Sequence, residues 1–281
     1  MIVGRIFVWL QYLLPQHAIS RLILHATRVR TPWFKNALVR GFLGLYSVDM
    51  SEAEQSNPFG YASFNEFFTR ALKEQARSID SRPGSIASPV DGTISEAGNI
   101  EGGALLQAKG RRYTLAELLA GEQRAGLFED GSFATIYLAP FNYHRIHMPL
   151  RGDLRETVYV PGRLFSVNAA TAAHVPNLFA RNERVLTLFD TAFGQVALIM
   201  VGALNVGSMA TVWAGDITPA SRRALTTLPP QPVSLEKGAE LGRFNMGSTV
   251  ILLFQRNRAR LNPDVRAGMQ VRVGESLGLL Q

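Results

Sequence analysis

The sequence predicts a mostly β protein of the α+β class, a β-rich sandwich or barrel core preceded by amphipathic helices. Three observations predict it. Long apolar stretches at helical spacing, with arginines between them, are confined to the first fifty residues. Beyond them, short runs rich in β-branched and aromatic residues recur between turn residues: SFATIYL (132–138), ETVYV (156–160), RVLTLFD (184–190), QVALIMVGA (195–203), SMATVWA (208–214) and STVILLF (248–254). These runs do not alternate with long helices, which disfavours a doubly wound parallel sheet.

The chain has 281 residues, 47% hydrophobic and 18% charged. That is enough for a substantial core and excludes a disordered chain or a disulfide-stapled miniature. No low-complexity linker divides it, so the expected organisation is an N-terminal helical segment over 1–50 and a β-rich domain over 51–281.

In the first segment, Ile6, Trp9, Leu10 and Leu13, then Ile19, Leu22, Ile23, Trp33, Phe34, Leu38 and Phe42 recur at helical spacing. The uncharged stretch between Arg5 and Arg21 is 15 residues long and holds Gln11, Pro15, Gln16 and His17. A transmembrane helix needs about 20 apolar residues, so this is not one. No small-residue cleavage pattern follows, so a signal peptide is not expected either. The segment carries six basic residues (Arg5, Arg21, Arg28, Arg30, Lys35, Arg40) against Asp49 alone. Apolar and aromatic anchors beside basic residues fit helices lying in an anionic bilayer surface; the ordinary alternative is that they pack on the protein's own core. The formal charge is +7 overall, yet the rest of the chain, with 23 basic and 21 acidic residues, is nearly balanced. This argues against a nucleic-acid-binding face.

Further along, Ser63 precedes a helical run with Glu66 three residues on, and Phe64, Phe67, Phe68 and Leu72 share one face. Thr114 and Glu117 repeat that capping pattern, with Gly121 as the expected helix stop. Near the C terminus, KGAELG (237–242) and VGESLG (273–278) look alike, each a glycine turn leading to Leu-Gly. Such turns resemble those of lipoyl-like barrel-sandwich hybrids.

The chain has no cysteine, which excludes disulfides, Cys nucleophiles and Cys-ligated metal. Of five histidines, His144 and His147 stand three apart in YHRIHMP. No H-E-x-x-H and no adjacent carboxylate before Asp153 supports a metal site, and either histidine could simply bond a buried carbonyl. Asp91 lies in SPVDGT and Ser248 in FNMGST, where plain turns are the ordinary reading. The surroundings of Ser248 are not a G-x-S-x-G elbow, since 246 is Met and 250 is Val. Asp91, His147 and Ser248 nevertheless supply the residue types of an orienting carboxylate, a base and a nucleophile.

The segments carrying these residues resemble those of bacterial phosphatidylserine decarboxylases. The likeness covers FNEFF (64–68), PVDG (89–92), LQAKG (106–110), YHRIHMP (143–149), YVPGRLFSVN (159–168), VPNLFARNER (175–184), VWAGDITP (212–219) and GRFNMGSTVI (242–251). One departure is Met246, where the family usually has Leu before Gly-Ser-Thr; the two are close in volume, so little effect is expected.

The resemblance implies self-cleavage between Gly247 and Ser248, giving chains of residues 1–247 and 248–281. His147, oriented by Asp91, would deprotonate Ser248, which attacks the Gly247 carbonyl to form an ester. Elimination and hydrolysis would then leave an N-terminal pyruvoyl group, the covalent pyruvate cofactor, with release of ammonia. Decarboxylation of phosphatidylserine to phosphatidylethanolamine and carbon dioxide would run through a Schiff base to that group. No pyridoxal setting is evident at the four lysines, Lys35, Lys73, Lys109 and Lys237, although Lys109 stays open. His144 would protonate the product carbon or assist departure of carbon dioxide, while Tyr137 and Ser166 are candidate headgroup contacts.

The resemblance further implies a phospholipid-synthesis enzyme lying peripherally on the cytoplasmic face of the inner membrane. Phosphatidylserine in the bilayer is its expected partner, and the cleaved units form a homodimer. Two other classes remain open on residue types: a membrane-surface serine hydrolase using Asp91, His147 and Ser248 with the chain intact, and a non-catalytic lipid-binding module.

Overall fold

The computed structural model describes residues 2–204, 208–217, 225–227, 231–246 and 249–281; the side chains of 2–7 and 225–227 lie outside the description. Three helices open the chain: α1 (Ile2–Leu13), α2 (Gln16–Thr27) and α3 (Pro32–Leu45). Pro15 ends the run that would otherwise fuse the first two, and Pro32 at the first position of α3 meets no missing hydrogen bond there.

Two of the short helices that follow are α4 (Phe64–Phe68) and α5 (Leu115–Leu119). The Ser63 hydroxyl accepts from the Glu66 amide at 3.1 Å, and Glu66 reaches back to the amide of Ala62 at 3.2 Å. Leu72 falls beyond the end of α4. At α5 the reciprocal pair between Thr114 and Glu117 is complete. Ala120, not Gly121, takes the left-handed conformation that stops α5, and the Gly121 amide closes the end on the Ala116 carbonyl at 3.1 Å.

The remaining chain is mainly strand: β1 (Ser85–Ala87), β2 (Gly92–Asn99), β3 (Ala104–Ala108), β4 (Arg111–Thr114), β5 (Ser132–Tyr137), β6 (Arg145–His147), β7 (Gly152–Val160), β8 (Arg184–Thr191), β9 (Gly194–Val201), β10 (Met209–Thr211), β11 (Gly215–Ile217), β12 (Leu225–Thr227), β13 (Ser234–Leu235), β14 (Glu240–Phe244), β15 (Thr249–Phe254), β16 (Ala259–Leu261), β17 (Gln270–Val271) and β18 (Ser276–Leu280). The run expected over 208–214 is a strand only at β10, because a turn at 212–214 folds it back into β11.

The largest sheet is antiparallel in the order β12-β7-β8-β9-β15-β5-β2-β17, with β13 also on β7. Among the described residues its end strands do not meet, so it is an open sheet and not a closed barrel. Smaller sheets, β11-β10-β14-β6 and β1-β18-β16, pack with it around one core. Strand β15 is central: every residue from Thr249 to Phe254 pairs with β5 on one side and β9 on the other, and all six are buried. A strand covered on both faces needs an unbroken apolar run, which VILLF supplies.

The two similar glycine segments form a structural repeat. Gly238 (φ +82°) and Gly274 (φ +90°) both turn against Ile79; a Cβ on either would stand within 2.9 Å of that side chain. Each donates its amide across to a neighbouring segment, Gly238 to the Met148 carbonyl and Gly274 to that of Ser88. The left-handed backbone and the close approach both call for glycine.

Helices α1 and α2 face the body partly with polar groups. The Gln11 carboxamide oxygen accepts from the Ser166 amide at 2.7 Å, and that of Gln16 accepts from Leu164 at 2.8 Å; both glutamines are buried. Val8 and Leu24 are buried as well, whereas Trp9, Leu13, Leu22, Trp33 and Leu45 are all at least 66% exposed. Helix α3 packs inward through Val39, Leu38 and Phe42 on Phe64, Phe67 and Phe68. Among the described residues, no helix is long and apolar enough to cross a membrane.

Candidate active site

The Asp91 carboxylate sits where β1 has ended and β2 begins, fixed from two directions. Arg77 engages both of its oxygens, with Nε to Oδ1 at 3.0 Å, and the Val273 amide donates to Oδ1 at 2.8 Å. Arg77 also bonds Glu52 at 2.9 Å, and Glu52 in turn holds Arg272 at 2.9 Å. Burial alone would favour loss of the Arg77 proton, but the hydrogen bonds and charges of Asp91 and Glu52 outweigh it and hold the guanidinium more firmly protonated than usual.

His147 closes β6, and its amide donates to the Pro89 carbonyl at 2.8 Å, which lays the histidine strand beside the Asp91 segment. Its Nδ1 lies 2.8 Å from the Gly238 carbonyl oxygen, and its Nε2 lies 3.0 Å from the Tyr143 hydroxyl. A carbonyl only accepts, so Nδ1 carries the proton and the Nε2 of the neutral ring accepts from Tyr143. Burial lowers the proton affinity of His147, opposed by the Gly238 bond and by the charges of Glu240 and Asp91. Asp91 therefore acts on His147 through its field; its hydrogen bonds go to Arg77 and Val273, and the Gly238 carbonyl does the orienting.

His144 is completely buried beneath the Phe68 ring, the two rings lying 4.1 Å apart. Its Nδ1 donates to the Asn142 carbonyl at 2.8 Å, which leaves Nε2 with no hydrogen-bond partner among the described residues. Burial, reinforced by the positive charge of Arg70, pushes its pKa down to about 3. The ring is thus a neutral base near pH 7, with an unused lone pair in a dry setting.

Gly247 and Ser248 lie outside the described residues; their flanks are fixed. Strand β14 leads toward them along β6, with Glu240 opposite His147 and the Phe244 amide donating to the His144 carbonyl at 3.0 Å. Asn245 is buried, donating from Nδ2 to Ser208 Oγ at 2.6 Å and Asp216 Oδ1 at 2.9 Å, while its Oδ1 accepts from Asn65 at 3.2 Å. Arg28 at the end of α2 pairs with the same Asp216. On the other flank, Thr249 opens β15 opposite Tyr137 and Val201. Tyr137 is therefore paired with the residue that follows position 248 in the chain. Ser166 belongs to the seam with α1, where its amide meets Gln11.

A cleft of about 340 Å³ opens beside these groups, lined by Asp91, Tyr143, Arg70, Arg77, Arg272 and Phe141 among others. The geometry supplies a base with an oriented lone pair, a second buried neutral imidazole, and cationic side chains at the cleft. Tyr143, Gly238, Arg77 and Arg70 are the members that sequence reasoning missed. Gly238 stood in the visible glycine repeat and Tyr143 in the histidine motif, whereas nothing in the sequence ties Arg77 to Asp91. Among the described residues, no group of three or more His, Asp or Glu side chains is placed to hold a metal ion.

Comparison with known proteins follows the same segments. A family model described as phosphatidylserine decarboxylase matches residues 64–279, and a second, described as PSD, matches residues 6–47. Curated relatives named phosphatidylserine decarboxylase proenzyme include one from Methylococcus capsulatus, 53% identical over 98% of this chain and 96% of its own length. Others come from Pseudomonas fluorescens, 52% identical over 98% and 97%, and Ectopseudomonas mendocina, 52% identical over 99% of each chain.

Proposed function

The chain belongs to the phosphatidylserine decarboxylase family, and from that premise we propose that it converts phosphatidylserine to phosphatidylethanolamine and carbon dioxide after cutting itself between Gly247 and Ser248. The observation that carries this reading is the junction between β14 and β15. The segment ending at Met246 lies against the histidine strand, while Thr249 begins the central strand of the sheet. The proposed cleavage pair thus joins a strand paired with the His147 strand to the central strand of the large sheet.

In maturation His147 takes the Ser248 hydroxyl proton on Nε2, and the oxygen attacks the Gly247 carbonyl carbon. The peptide C–N bond breaks as the ester C–O bond forms, and the proton returns to the Ser248 nitrogen. Gly238 keeps the imidazole in the required tautomer throughout. Elimination of the ester expels the Gly247 carboxylate and leaves dehydroalanine at 248. Water then replaces the nitrogen, releasing ammonia and leaving pyruvate joined to Thr249.

A pyruvoyl group at position 248 supplies an electron sink for the pair left when carbon dioxide departs. The surroundings fit such a group: the hydroxyl of Thr249 and Nε2 of His144 are both buried and, among the described residues, without hydrogen-bond partners. The His144 lone pair can hold the proton that the product carbon needs, and the Phe68 ring keeps water from that nitrogen. Three lysines are committed elsewhere by hydrogen bonds: Lys35 to the Phe59 and Tyr61 carbonyls, Lys73 to that of Ser51, and Lys237 to that of Ser85. Lys109 is a left-handed turn residue.

The cleaved chains stay together. Residues 249–281 contribute β15 between β5 and β9, β17 on β2, and β18 on β1, with β16 alongside β18, so three of these four strands pair directly with the long chain. The exposed apolar face of α1 to α3 docks the enzyme peripherally on the cytoplasmic face of the inner membrane, and the mature units form homodimers. Trp9, Leu13, Leu22, Trp33 and Leu45 outward, with Gln11 and Gln16 inward, support the docking, because that orientation opposes what water alone would select.

The test is intact mass under denaturing conditions, with the Ser248→Ala variant alongside. Expected are two chains from the wild type, 1–247 and a pyruvoyl-blocked 248–281, and one chain from the variant. A wild type that stays whole while catalysing would sink the self-cleavage reading.

A further inference from the structure

Three arginines border the cleft beside Asp91, and they differ in one respect. Arg77 holds Asp91 and Glu52, and Arg272 holds Glu52. Arg70 is only 4% exposed and has no carboxylate within ion-pair distance among the described residues. Among the described residues its side chain makes one long hydrogen bond, from a terminal nitrogen to the Phe141 carbonyl at 3.3 Å, and its Nε–H has no partner. The carboxylates that could have served it are committed: Asp91 and Glu52 as above, and Asp49 to the amide and hydroxyl of Ser51. An unpaired buried guanidinium is costly unless something anionic joins it.

From this geometry we propose that Arg70 is a substrate-binding residue that receives a phosphodiester oxygen of the lipid headgroup. The inference rests on the decarboxylase reading and deepens it. Phosphatidylserine brings two anions, and the chemistry chooses between them. A guanidinium clamped on the carboxylate would stabilise the charge that must be lost with carbon dioxide, and so would hold back the reaction. The phosphodiester is unchanged from substrate to product, so binding it anchors the headgroup without opposing the chemistry. A planar guanidinium with free N–H groups is suited to such an oxygen. The position also fits: Arg70 donates to the Phe141 carbonyl, His144 bonds the carbonyl of the next residue, Asn142, and Phe68, two residues before Arg70, lies on the His144 ring. A headgroup held by Arg70 is thus held at the segment that carries His144.

The test uses the full-length protein in detergent micelles, with Arg70→Lys and Arg70→Gln. Glycerophosphoethanolamine, inorganic phosphate and ethanolamine are titrated by calorimetry, and decarboxylation of phosphatidylserine is measured separately. The wild type is expected to bind glycerophosphoethanolamine more tightly than inorganic phosphate, with ethanolamine weakest. A charge-assisted hydrogen bond accounts for about tenfold or more in affinity. Arg70→Gln should lose about that factor in binding and raise KM by a similar factor, with a much smaller fall in kcat. Arg70→Lys should fall between, and it serves as the reference if Arg70→Gln fails to accumulate as two chains. Unchanged binding and KM in either soluble variant would overturn the proposal, as would a fall in kcat alone. Phosphate binding as tight as the diester would also overturn it, in favour of a free-anion site. Arg70-dependent binding in a protein that does not decarboxylate phosphatidylserine would leave the anion site standing and remove the decarboxylase reading. Normal decarboxylation with Arg70-independent binding would do the reverse.

Discussion

His147 donates its Nδ1 proton to the Gly238 carbonyl oxygen across 2.8 Å, and that bond decides which nitrogen can act as a base. Nε2 is left as acceptor, with the Tyr143 hydroxyl 3.0 Å away. The orienting group is backbone, delivered by a turn that glycine alone enters without strain. Gly238→Ala places a methyl 2.9 Å from the Ile79 side chain at a φ of +82°. The expected result is about 1 kcal/mol or more of lost stability and slowed self-cleavage. Denaturant titration on a Ser248→Ala background and the time course of chain appearance measure the two effects separately.

Tyr143 occupies the lone pair that the proposed maturation assigns to the Ser248 proton. In Tyr143→Phe that competitor is gone while the ring remains, so self-cleavage should be at least as fast as in the wild type. A slower time course would mean that the hydroxyl relays the proton instead of capping the base.

The buried neutral His144 ties stability to pH. Its folded pKa of about 3 lies below the ordinary value of 6.5, so between those values the unfolded chain binds more protons than the native one. Stability from this group is complete above about pH 6.5 and is lost as pH falls toward 3, with a slope of up to about 1.4 kcal/mol per pH unit. Glu183 acts in the opposite sense: burial raises its pKa to about 7, so its contribution is lost as pH rises through that value. Comparing His144→Gln with the parent on a Ser248→Ala background isolates the first effect. The difference between their melting profiles should shrink as pH is lowered from 7 to 5.

Asn245 stands two residues ahead of Gly247 and is bonded to Ser208, Asp216 and Asn65. Asn245→Ala removes all three bonds and should slow self-cleavage about tenfold or more, since a misplaced reacting group loses the benefit of a fixed approach. Asp216→Asn should slow it less, because Asn245 keeps two of its partners. Equal rates for wild type and Asn245→Ala would show that β14 alone sets the junction.

The outward apolar side chains of the N-terminal helices predict vesicle binding. Each buried leucine contributes about 1.5–3 kcal/mol, so Leu13→Ser with Leu22→Ser should weaken binding to anionic vesicles by at least tenfold. Self-cleavage in detergent should be unaffected. Sedimentation with vesicles measures the first quantity and gel analysis the second.

By itself the sequence determined the kinds of element and the residues able to do chemistry. The apolar run VILLF fixed a strand buried on both faces, the Ser63 and Thr114 caps fixed two helix starts, and two glycine turns announced a repeat, because these signals are local and follow from backbone chemistry. Motif likeness then brought Asp91, His147 and Ser248 into one proposal. The tertiary structure alone decided how Asp91 and His147 are held. It gave the Asp91 carboxylate to Arg77 and Val273, gave the orientation of His147 to a carbonyl 91 residues away, and sent Ser166 to the seam with α1. It also decided which face of the first helices meets the body: spacing marks apolar positions, but only the packed structure buries Val8, Gln11, Gln16 and Leu24 and leaves Trp9, Leu13 and Leu22 outward. Contacts at such sequence separations depend on how strands register and pack, and no local pattern encodes them.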